Sequence, residues 1–376
     1  METWSAHQLF ETASKELGNE LAFDIQRYAN NLKKANLPVI FSLGHLSYIT
    51  GIEYDLLHDT VNRKRESANY NLFSIHKRSG GRRFIHAVNG KLFYLQKYIN
   101  DEILQKNKPH PSSYAFHRSG GIRQCAEVHC GCKWLFQFDL KDFFYTISEP
   151  LVYDVFRKMG YTNLFSFELA RLCTTLYLPK PKTFYLKDPN LEKMKMGPYF
   201  DRSSIGVLPQ GAPSSPMISN LAATKLDEAL YEYSQANGFI YTRYADDLSF
   251  SASTLPEKKS IGRIKREIIS LIRKSGFKEN TDKVRIAGPG SKKIILGLLV
   301  DSERPRISRE LLKRIDRNLY SIDKFGLEQA AVHDGFESTY GFINHISGLI
   351  SFIKDVDYER WKKIEPRFQQ LLTEFE

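Results

Sequence analysis

Residues 238–253, GFIYTRYADDLSFSAS, alternate apolar and polar side chains on both sides of a central Ala-Asp-Asp. Alternation with a period of two is typical of a half-buried β-strand. The stretch therefore predicts a β-hairpin whose turn carries two carboxylates, Asp246 and Asp247. Hairpin turns favour Asn-Gly or Asp-Gly, and two adjacent carboxylates repel each other. We therefore expect a cationic side chain close to this turn.

The charge of the chain is strongly positive and unevenly distributed. The 376 residues carry a formal net charge of +11, while 42% hydrophobic and 26% charged residues are typical of a globular protein with two or three lobes. Residues 258–293 contain twelve Lys and Arg against three Asp and Glu, and residues 63–83 contain seven against one. A single cluster of this kind is more often a solvated surface. Two clusters beside paired carboxylates favour a nucleic-acid partner.

The sequence indicates neither a membrane segment nor a disulfide framework. No apolar run approaches the roughly 18 residues of a membrane span, and the N-terminal residues lack the profile of a signal peptide. The four cysteines, at positions 125, 130, 132 and 173, are too few for a disulfide framework and favour a reducing cytoplasm. The spacing within CAEVHCGC, residues 125–132, fits no common zinc site.

Hydrophobic periodicity predicts a chain of mixed helices and strands. We expect helices over 1–60 and then a strand, a Gly-Gly turn, a second strand and a helix over 70–100. Further predicted elements are helices at 149–160 and 164–176, a long loop or insertion at 178–203, one helix from about 216 to 238, a basic helix at 257–275, a strand pair at 283–300 and a helical end from 308.

A third carboxylate, Asp139, lies at the end of the dense apolar run WLFQFDLKDFFYTI, residues 134–147. A charge at the end of a buried strand is costly unless it is paired or binds a metal ion. If this strand neighbours the hairpin, Asp139 meets Asp246 and Asp247. Carboxylates suit Mg²⁺, and two such ions roughly 3.5–4 Å apart stabilise in-line displacement at phosphorus. The alternative is three unrelated surface acids.

The motifs FQFDLKDFF, GVLPQGAPSSP and YADD, in this order, resemble the palm motifs of reverse transcriptases, most strongly the bacterial retron type. The resemblance extends from GGRRFI and LQKYI to GFKENTDKVRI, ILGLLV and TYGFINHISGLISFIK, over about residues 70–355. It implies an α/β (α+β) right-hand polymerase. The implied domains are an N-terminal helical segment (1–60), fingers (61–134), an antiparallel-sheet palm (135–300) and a helical thumb (301–376).

The resemblance assigns the catalytic and nucleotide-binding residues. It makes Asp139 and Asp246 the principal metal ligands with Asp247 beside them, and it places Tyr244 near the primer terminus. Phe144 matches the bulky sugar gate, whose ring excludes a 2′-hydroxyl. The remaining nucleotide-binding assignments are Gln210 and Gly211, where a glycine lets backbone approach a ligand, Arg83 for the triphosphate, with Arg82 equally possible by chemistry, and Lys283 near the nucleotide phosphates.

The predicted C-terminal helices carry residues that suit binding of template and primer. Arg309, Lys313 and Arg317 fall on one face of a predicted helix. A second helix carries a stripe of small and polar residues, Gly341, Asn344 and Gly348, that suits a nucleic-acid minor groove. Close helix packing through the two glycines is the alternative.

The implied activity is RNA-directed DNA synthesis with two Mg²⁺ ions, for which Mn²⁺ can substitute. Retron membership implies deoxynucleotide substrates, a cognate structured non-coding RNA as template and primer, an RNA-linked multicopy single-stranded DNA product, and an accessory effector protein in anti-phage defence. Two departures leave another defence-associated or a group II intron-like reverse transcriptase open. Cys125–His129 replaces an Asn-Ala-x-x-His element, and Ile295-Leu296-Gly297 replaces Val-Thr-Gly. An RNA-dependent RNA polymerase and a non-enzymatic RNA-binding scaffold are further alternatives.

Overall fold

A computed structural model describes residues 5–76, 80–187, 205–257 and 259–373. Within these ranges the chain forms sixteen α-helices and three antiparallel sheets. None of the helices in the described ranges is long and apolar enough to cross a membrane. Most of the predicted insertion at 178–203 lies outside the described residues, and its described part contains a 3₁₀ helix at Lys180–Lys187.

The N-terminal part is helical, as predicted. Its helices are α1 (Ala6–Leu17), α2 (Asn19–Lys34), α3 (Leu43–Thr50), α4 (Tyr54–Val61) and the short α5 (Glu66–Asn69). Helix α1 begins at a capping box, in which the Ser5 hydroxyl accepts from the Gln8 amide and the Gln8 side chain accepts from the Ser5 amide.

The predicted strand–turn–strand–helix unit is present. Strands β1 (Tyr70–His76) and β2 (Arg82–Val88) pair antiparallel. Gly80 and Gly81 both have positive φ, which glycine adopts without strain. Helix α6 (Gly90–Tyr98) follows β2 and continues into a π-helical turn at Ile99–Ile103 and a 3₁₀ turn at Leu104–Lys106. Helix α7 (Ile122–Glu127) then leads to the central sheet.

The central sheet has four antiparallel strands in the order β4-β5-β3-β6. They are β3 (Trp134–Asp139), β4 (Ile240–Tyr244), β5 (Asp247–Ala252) and β6 (Arg285–Ala287). The helices between them are α8 (Glu149–Lys158), α9 (Asn163–Cys173), α10 (Ser215–Ala222), α11 (Thr224–Ala236) and α12 (Ile261–Lys274). The single helix predicted over 216–238 was wrong, because the chain breaks at Ala223 into α10 and α11.

The two faces of the central sheet differ. One face is apolar and packs against helices in a core shared with the N-terminal helices; its strand residues include Phe136, Phe138, Leu248 and Phe250, all at most 2% exposed. The other face carries Asp139, Asp247 and Ser249. Directly paired residues of neighbouring strands point to the same side of a sheet, so the strand register alone sets this division.

A third sheet and the C-terminal helices form a second core. Strands β7 (Ile294–Ile295), β8 (Leu298–Leu299) and β9 (Arg306–Ile307) precede helices α13 (Arg309–Phe325), α14 (Leu327–His333), α15 (Thr339–Val356) and α16 (Tyr358–Thr373). The strand pair predicted at 283–300 is thus three short strands, β6 to β8, in two sheets. Ile295 and Val300 pack with the C-terminal helices. The predicted boundary at 300–301 falls inside this core, and the domain limits stay predictions.

Candidate active site

The strand register brings the three predicted carboxylates together. Asp139 at the end of β3 is paired directly with Asp247 at the start of β5, so the two Cβ atoms lie about 4.5–5.5 Å apart on one face. The Leu140 amide donates to the Asp246 carbonyl over 2.8 Å, which fixes the hairpin turn against the end of β3. Carboxylates separated by about a hundred residues in sequence therefore share one site.

The turn itself is tighter than the sequence predicted. Tyr244 pairs with Asp247, so the turn consists of Ala245 and Asp246 alone. The prediction that both aspartates occupy the turn was wrong, because Asp247 is the first residue of β5. Ala245 has φ +55°, a conformation in which glycine is normally found and which is strained for other residues. Other contacts must therefore stabilise the strained conformation of Ala245.

A buried ion pair supports the turn from behind. The Arg243 guanidinium donates to both carboxylate oxygens of Asp227, over 2.8 and 2.7 Å, and both side chains are 0% exposed. The same guanidinium donates to the Ala245 carbonyl over 3.2 Å and to Asn220 Oδ1 over 3.1 Å. Planar, two-point pairing of this kind suits arginine alone among the cations. It connects helices α10 and α11 to the turn that carries Asp246.

The cation expected near the carboxylates is Lys283. Its ammonium donates to Asp139 Oδ2 over 2.5 Å. Burial by itself would lower the pKa of Lys283, but the hydrogen bond to Asp139 and the charges of all three aspartates raise it overall. Asn280 contributes two further bonds to Asp139, from its backbone amide to the carbonyl over 2.7 Å and from its side chain to Oδ1 over 3.2 Å.

Negative charge remains in excess at Asp246 and Asp247. Burial, followed by repulsion from Asp139, raises the pKa of Asp246. Burial, followed by repulsion from Asp246 and Asp139, raises the pKa of Asp247 to about 6. The Asp247 side chain is nevertheless exposed, because it faces an open cleft while protein surrounds its other sides. Lys283, with Arg83 near Asp246 and Arg285 near Asp247, only partly offsets this repulsion.

The carboxylates have the chemistry of a divalent-metal site. Within the described ranges no three or more His, Cys, Asp or Glu side chains are grouped tightly enough to hold a metal ion, and Asp139 is bound to Lys283 instead. The donors still fit such an ion, because they are hard oxygens. Burial, together with repulsion among the carboxylates, raises the pKa values of Asp246 and Asp247. A cation that enters the cleft relieves this repulsion.

A cavity of about 730 Å³ opens beside the carboxylates and contains most of the predicted nucleotide-binding residues. Those that line it are Arg83, Phe144, Gln210 and Lys283, together with Asp139 and Asp246. Phe144 is half-buried and contacts Phe116 at a ring-centroid distance of 6.5 Å, whereas its neighbour Phe143 is a core residue at 3% exposure. Arg82 is not among the lining residues, which favours Arg83 of the two arginines.

Gly211 differs from its prediction. It is not among the residues that line the cavity, and its φ is +116°. A Cβ atom at this position would lie 2.9 Å from the His86 carbonyl oxygen and 2.9 Å from the Ile85 side chain. The glycine is required here because the loop passes close to β2. The His86 amide also donates to the Gln210 carbonyl over 2.8 Å.

A second cavity, of about 290 Å³, lies on the polar face of the sheet. It contains Tyr244, Asp247 and Cys125, and the β7–β8 turn at Leu296 and Gly297 closes it. Tyr244 thus lies beside Asp247 at the end of β4, and its position near the primer terminus stays a prediction.

The predicted grip residues of the C-terminal helices face solvent. Arg309, Lys313 and Arg317 are exposed on α13. On α15, Asn344 and Gly348 are exposed and Gly341 is half-buried. A Cβ atom on Gly348 would meet no heavy atom within 4 Å, so the alternative of close helix packing does not apply at Gly348. Their role in nucleic-acid binding stays a proposal.

Sequence reasoning missed several residues that build the site. They are Asp227, Asn220, Asn280 and Lys182. For Asn280 a signal existed, since it belongs to the motif GFKENTDKVRI. For Asn220 and Asp227 the sequence offered little: each is a polar residue in a helix, α10 or α11, that packs on the core.

The chain belongs to the reverse transcriptase family. A family model described as "Reverse transcriptase (RNA-dependent DNA polymerase)" matches residues 75–300, more than half of the chain. The protein is therefore an RNA-directed DNA polymerase with an α/β polymerase fold, and its activity depends on a divalent metal ion.

Individual relatives confirm the predicted resemblance to retron-type enzymes. Retron Ec86 reverse transcriptase of Escherichia coli is 29% identical over 335 residues, covering 89% of this chain and 90% of the relative. Retron Mx65 reverse transcriptase of Myxococcus xanthus is 26% identical over 376 residues, covering 98% and 80%. Among solved structures, telomerase from Candida albicans in complex with a fragment of telomeric RNA has a TM-score of 0.40 at 11% identity, covering 81% of this chain and 56% of that one.

Proposed function

We propose that this chain is the reverse transcriptase of a retron, and that Asp139, Asp246 and Asp247 are its catalytic metal ligands. The observation that carries the proposal is the direct pairing of Asp139 with Asp247 beside the Asp246 turn. Two of these hard-oxygen donors, Asp139 and Asp246, line a cleft that also contains Arg83 and Lys283, the cations a triphosphate needs, and Asp247 lies beside them.

Asp139, Asp246 and Asp247 would hold two Mg²⁺ ions, or Mn²⁺ in their place, and such ions would supply Lewis-acid chemistry at the primer 3′-hydroxyl and the triphosphate. The chain provides the rest. Lys283 exchanges its bond to Asp139 for contact with the nucleotide phosphates. Arg83 binds the triphosphate from β2, where its guanidinium suits phosphate geometry.

Sugar and base are selected by the walls of the cleft. Phe144 lies against C2′ of the incoming sugar and excludes a 2′-hydroxyl, which selects deoxynucleotides. Gln210 borders the nucleotide and template, and Gly211 positions that loop against β2. Replacement of Phe144 by Ala is expected to increase the incorporation of ribonucleotides relative to deoxynucleotides on the same RNA template. Unchanged discrimination would reject the sugar-gate role.

Other residues bind the template and the primer. Tyr244 contacts the primer terminus from the end of β4. Arg309, Lys313 and Arg317 contact phosphates, and the stripe Gly341, Asn344 and Gly348 lies against a minor groove. Because phosphate contacts release counterions, nucleic-acid affinity is expected to fall as salt rises.

The retron assignment is supported by similarity to retron reverse transcriptases over most of the chain. In this function the enzyme, in the cytoplasm, uses a cognate structured non-coding RNA as template and primer. It makes an RNA-linked multicopy single-stranded DNA, and an accessory effector protein acts with it in anti-phage defence.

The test is to purify the protein from its native host locus and to sequence the nucleic acid that accompanies it. Separate digestion with RNase and with DNase reveals the covalent composition. One structured RNA joined to a short complementary DNA, absent in an Asp246→Asn/Asp247→Asn variant, is the expected result. DNA without a matching template, or no discrete RNA, would reject the retron function and leave another reverse transcriptase. A biological effect that persists in the double variant would favour the RNA-binding scaffold.

A further inference from the structure

One wall of the 730 Å³ cavity comes from outside the motifs that carry the resemblance to reverse transcriptases. The 3₁₀ helix Lys180–Lys187 begins the predicted insertion, and Lys182 from this helix lines the same cavity as Arg83 and Asp246. No role was predicted for this lysine, because the region has no clear hydrophobic period.

Two hydrogen bonds tie this segment to the strand end that carries Asp139. Asp142 lies three residues after Asp139, and its Oδ2 accepts from Lys182 Nζ over 2.6 Å and from the Tyr185 hydroxyl over 2.9 Å. The lysine and the aspartate are 21% and 18% exposed. The ammonium is thus partly shielded from bulk water, yet it remains accessible from the cleft.

Packing fixes the segment as well. Tyr185 lies against Tyr145 at a ring-centroid distance of 6.0 Å. Tyr145, Leu178 and Val207 form a small apolar cluster against which Tyr185 also packs. Lys182 therefore reaches the cleft from a 3₁₀ helix that is packed in place. A lysine on a mobile surface would lose more side-chain entropy on binding a ligand.

The charged side chains that line the cavity suit an anionic ligand of Lys182. The cationic side chains are Arg83, Lys141, Lys182 and Lys283, and the carboxylates are Asp139, Asp142 and Asp246. Lys283 and Lys182 each pair with one carboxylate. The tetra-anionic chain of a nucleoside triphosphate, arriving with two divalent ions, leaves the net charge unchanged. Its phosphate oxygens can therefore replace the carboxylates as partners of the two ammonium groups.

We propose that Lys182 binds the triphosphate of the incoming deoxynucleotide and exchanges its bond to Asp142 for one to a phosphate oxygen. The insertion thereby supplies a substrate-binding residue to the cleft. This inference rests on the proposed polymerase site, and it assigns to Asp142 and Tyr185 the task of holding the lysine in position between substrates.

The experiment is single-nucleotide extension of a DNA primer on an RNA template. Lys182→Ala is expected to raise the KM for the deoxynucleotide about 10–100-fold, the usual range for one hydrogen bond to a charged group, with little change in kcat. Inhibition by inorganic pyrophosphate should weaken by a similar factor, because pyrophosphate offers the phosphates without base or sugar. Lys182→Arg, which keeps the charge, should retain much of the wild-type affinity.

Two matched variants separate ligand binding from tethering. Lys180→Ala removes an exposed cation from the same segment and should leave the KM unchanged. Tyr185→Phe removes the other hydrogen bond to Asp142 Oδ2 but keeps the ring in place, and it should change the KM far less than Lys182→Ala. Equal effects of Tyr185→Phe and Lys182→Ala would show that Lys182 only tethers the segment, and would overturn the inference.

Other outcomes are equally decisive. If Lys182→Ala weakens template–primer affinity at unchanged nucleotide KM, the ligand is nucleic acid and the inference is wrong. If the wild type extends the primer and Lys182→Ala behaves like it, the inference fails while the polymerase function stands. A wild type that extends no primer would overturn both. Should Lys182→Ala fold poorly in thermal unfolding, Lys182→Met, which keeps the packing of the stem, gives the same comparison.

Discussion

The two faces of the four-stranded sheet differ in whether their charged side chains are neutralised by a partner. On the apolar face Arg243 and Asp227 are both 0% exposed, and each neutralises the other through two hydrogen bonds. On the polar face Lys283 pairs with Asp139, and burial followed by mutual repulsion raises the pKa values of Asp246 and Asp247. The same hairpin connects the two arrangements.

This difference separates stability from function. The ion pair behind the turn is complete within the chain, so it fixes the strained Ala245 in one conformation. The carboxylates Asp246 and Asp247 carry excess negative charge, and their proposed role as metal ligands comes at some cost in stability. Substitutions at the carboxylates should change mainly activity, whereas substitutions at the Arg243–Asp227 pair should change mainly stability.

The largest effect is expected in front of the turn. Asp246→Asn removes a proposed metal ligand, and the loss of several kcal/mol of transition-state stabilisation corresponds to at least ~10³-fold in the rate of primer extension. Chemical unfolding should show stability equal to or above that of the wild type, because a repulsive charge is gone. Asp55→Asn, on an exposed position of α4, controls for the change in net charge. Activity within tenfold of wild type would reject Asp246 as a ligand.

Behind the turn, Arg243→Met should act mainly on stability. It leaves Asp227 buried without its partner, which destabilises a fold by about 3–5 kcal/mol. A double variant, Asp227→Asn/Arg243→Met, removes the orphaned charge, keeps an acceptor for the Tyr241 hydroxyl, and should recover most of the loss in urea unfolding. If the double variant is no more stable than Arg243→Met, the buried charge is not the cause.

A smaller effect concerns pH. Burial lowers the pKa of His129 to about 3, and its ring nitrogens bond to the hydroxyls of Ser251 and Thr242 over 2.7 Å each. Because the unfolded chain binds a proton below pH 6.5 and the folded chain does not, stability present above pH 6.5 is lost as pH falls towards 3. We expect a contribution of about 2–3 kcal/mol between pH 7 and pH 4.

His129→Gln provides the comparison, since an amide can bond to both hydroxyls without titrating. Its free energy of unfolding should fall less steeply between pH 7 and pH 4 than that of the wild type. Parallel curves would show that other groups determine acid sensitivity.

The smallest expected effect is stabilisation by the metal ion itself. At a Mg²⁺ concentration ten times its dissociation constant, mass action adds about 1.4 kcal/mol to the free energy of unfolding, or roughly 1–3 °C in Tm. The Asp246→Asn/Asp247→Asn variant should show no such shift, while Asp227→Asn/Arg243→Met should keep it. A shift that survives in the carboxylate variant would place the ion elsewhere.

The sequence predicted the carboxylates at the turn better than the ion pair between Arg243 and Asp227 that supports it. The period-2 pattern identified the hairpin, and the motif resemblance linked Asp139 with Asp246 and Asp247. Alternation also put Arg243 on the same face as Tyr241, and the structure shows that this face is buried. It could not name Asp227 as the partner, because that contact depends on how α11 packs across the sheet.

Two further misses have similar causes. Alternation does not fix the register of a hairpin, so both aspartates were placed in a turn that contains only Ala245 and Asp246. Lys182 was missed because its approach to Asp142 depends on tertiary packing of a segment without periodicity. Contacts within one element follow from the sequence pattern, whereas contacts between elements require the fold.

The close approach of Gly211 to β2 limits how this enzyme can be engineered. Gln210 and Arg83 belong to pieces of backbone that meet at His86, so a change in the loop is transmitted to the strand that carries the arginine. A library intended to alter nucleotide choice should therefore vary Gln210 or Phe144 and leave position 211 as glycine. Any other residue there would force the two walls of the cleft apart before it touched a nucleotide.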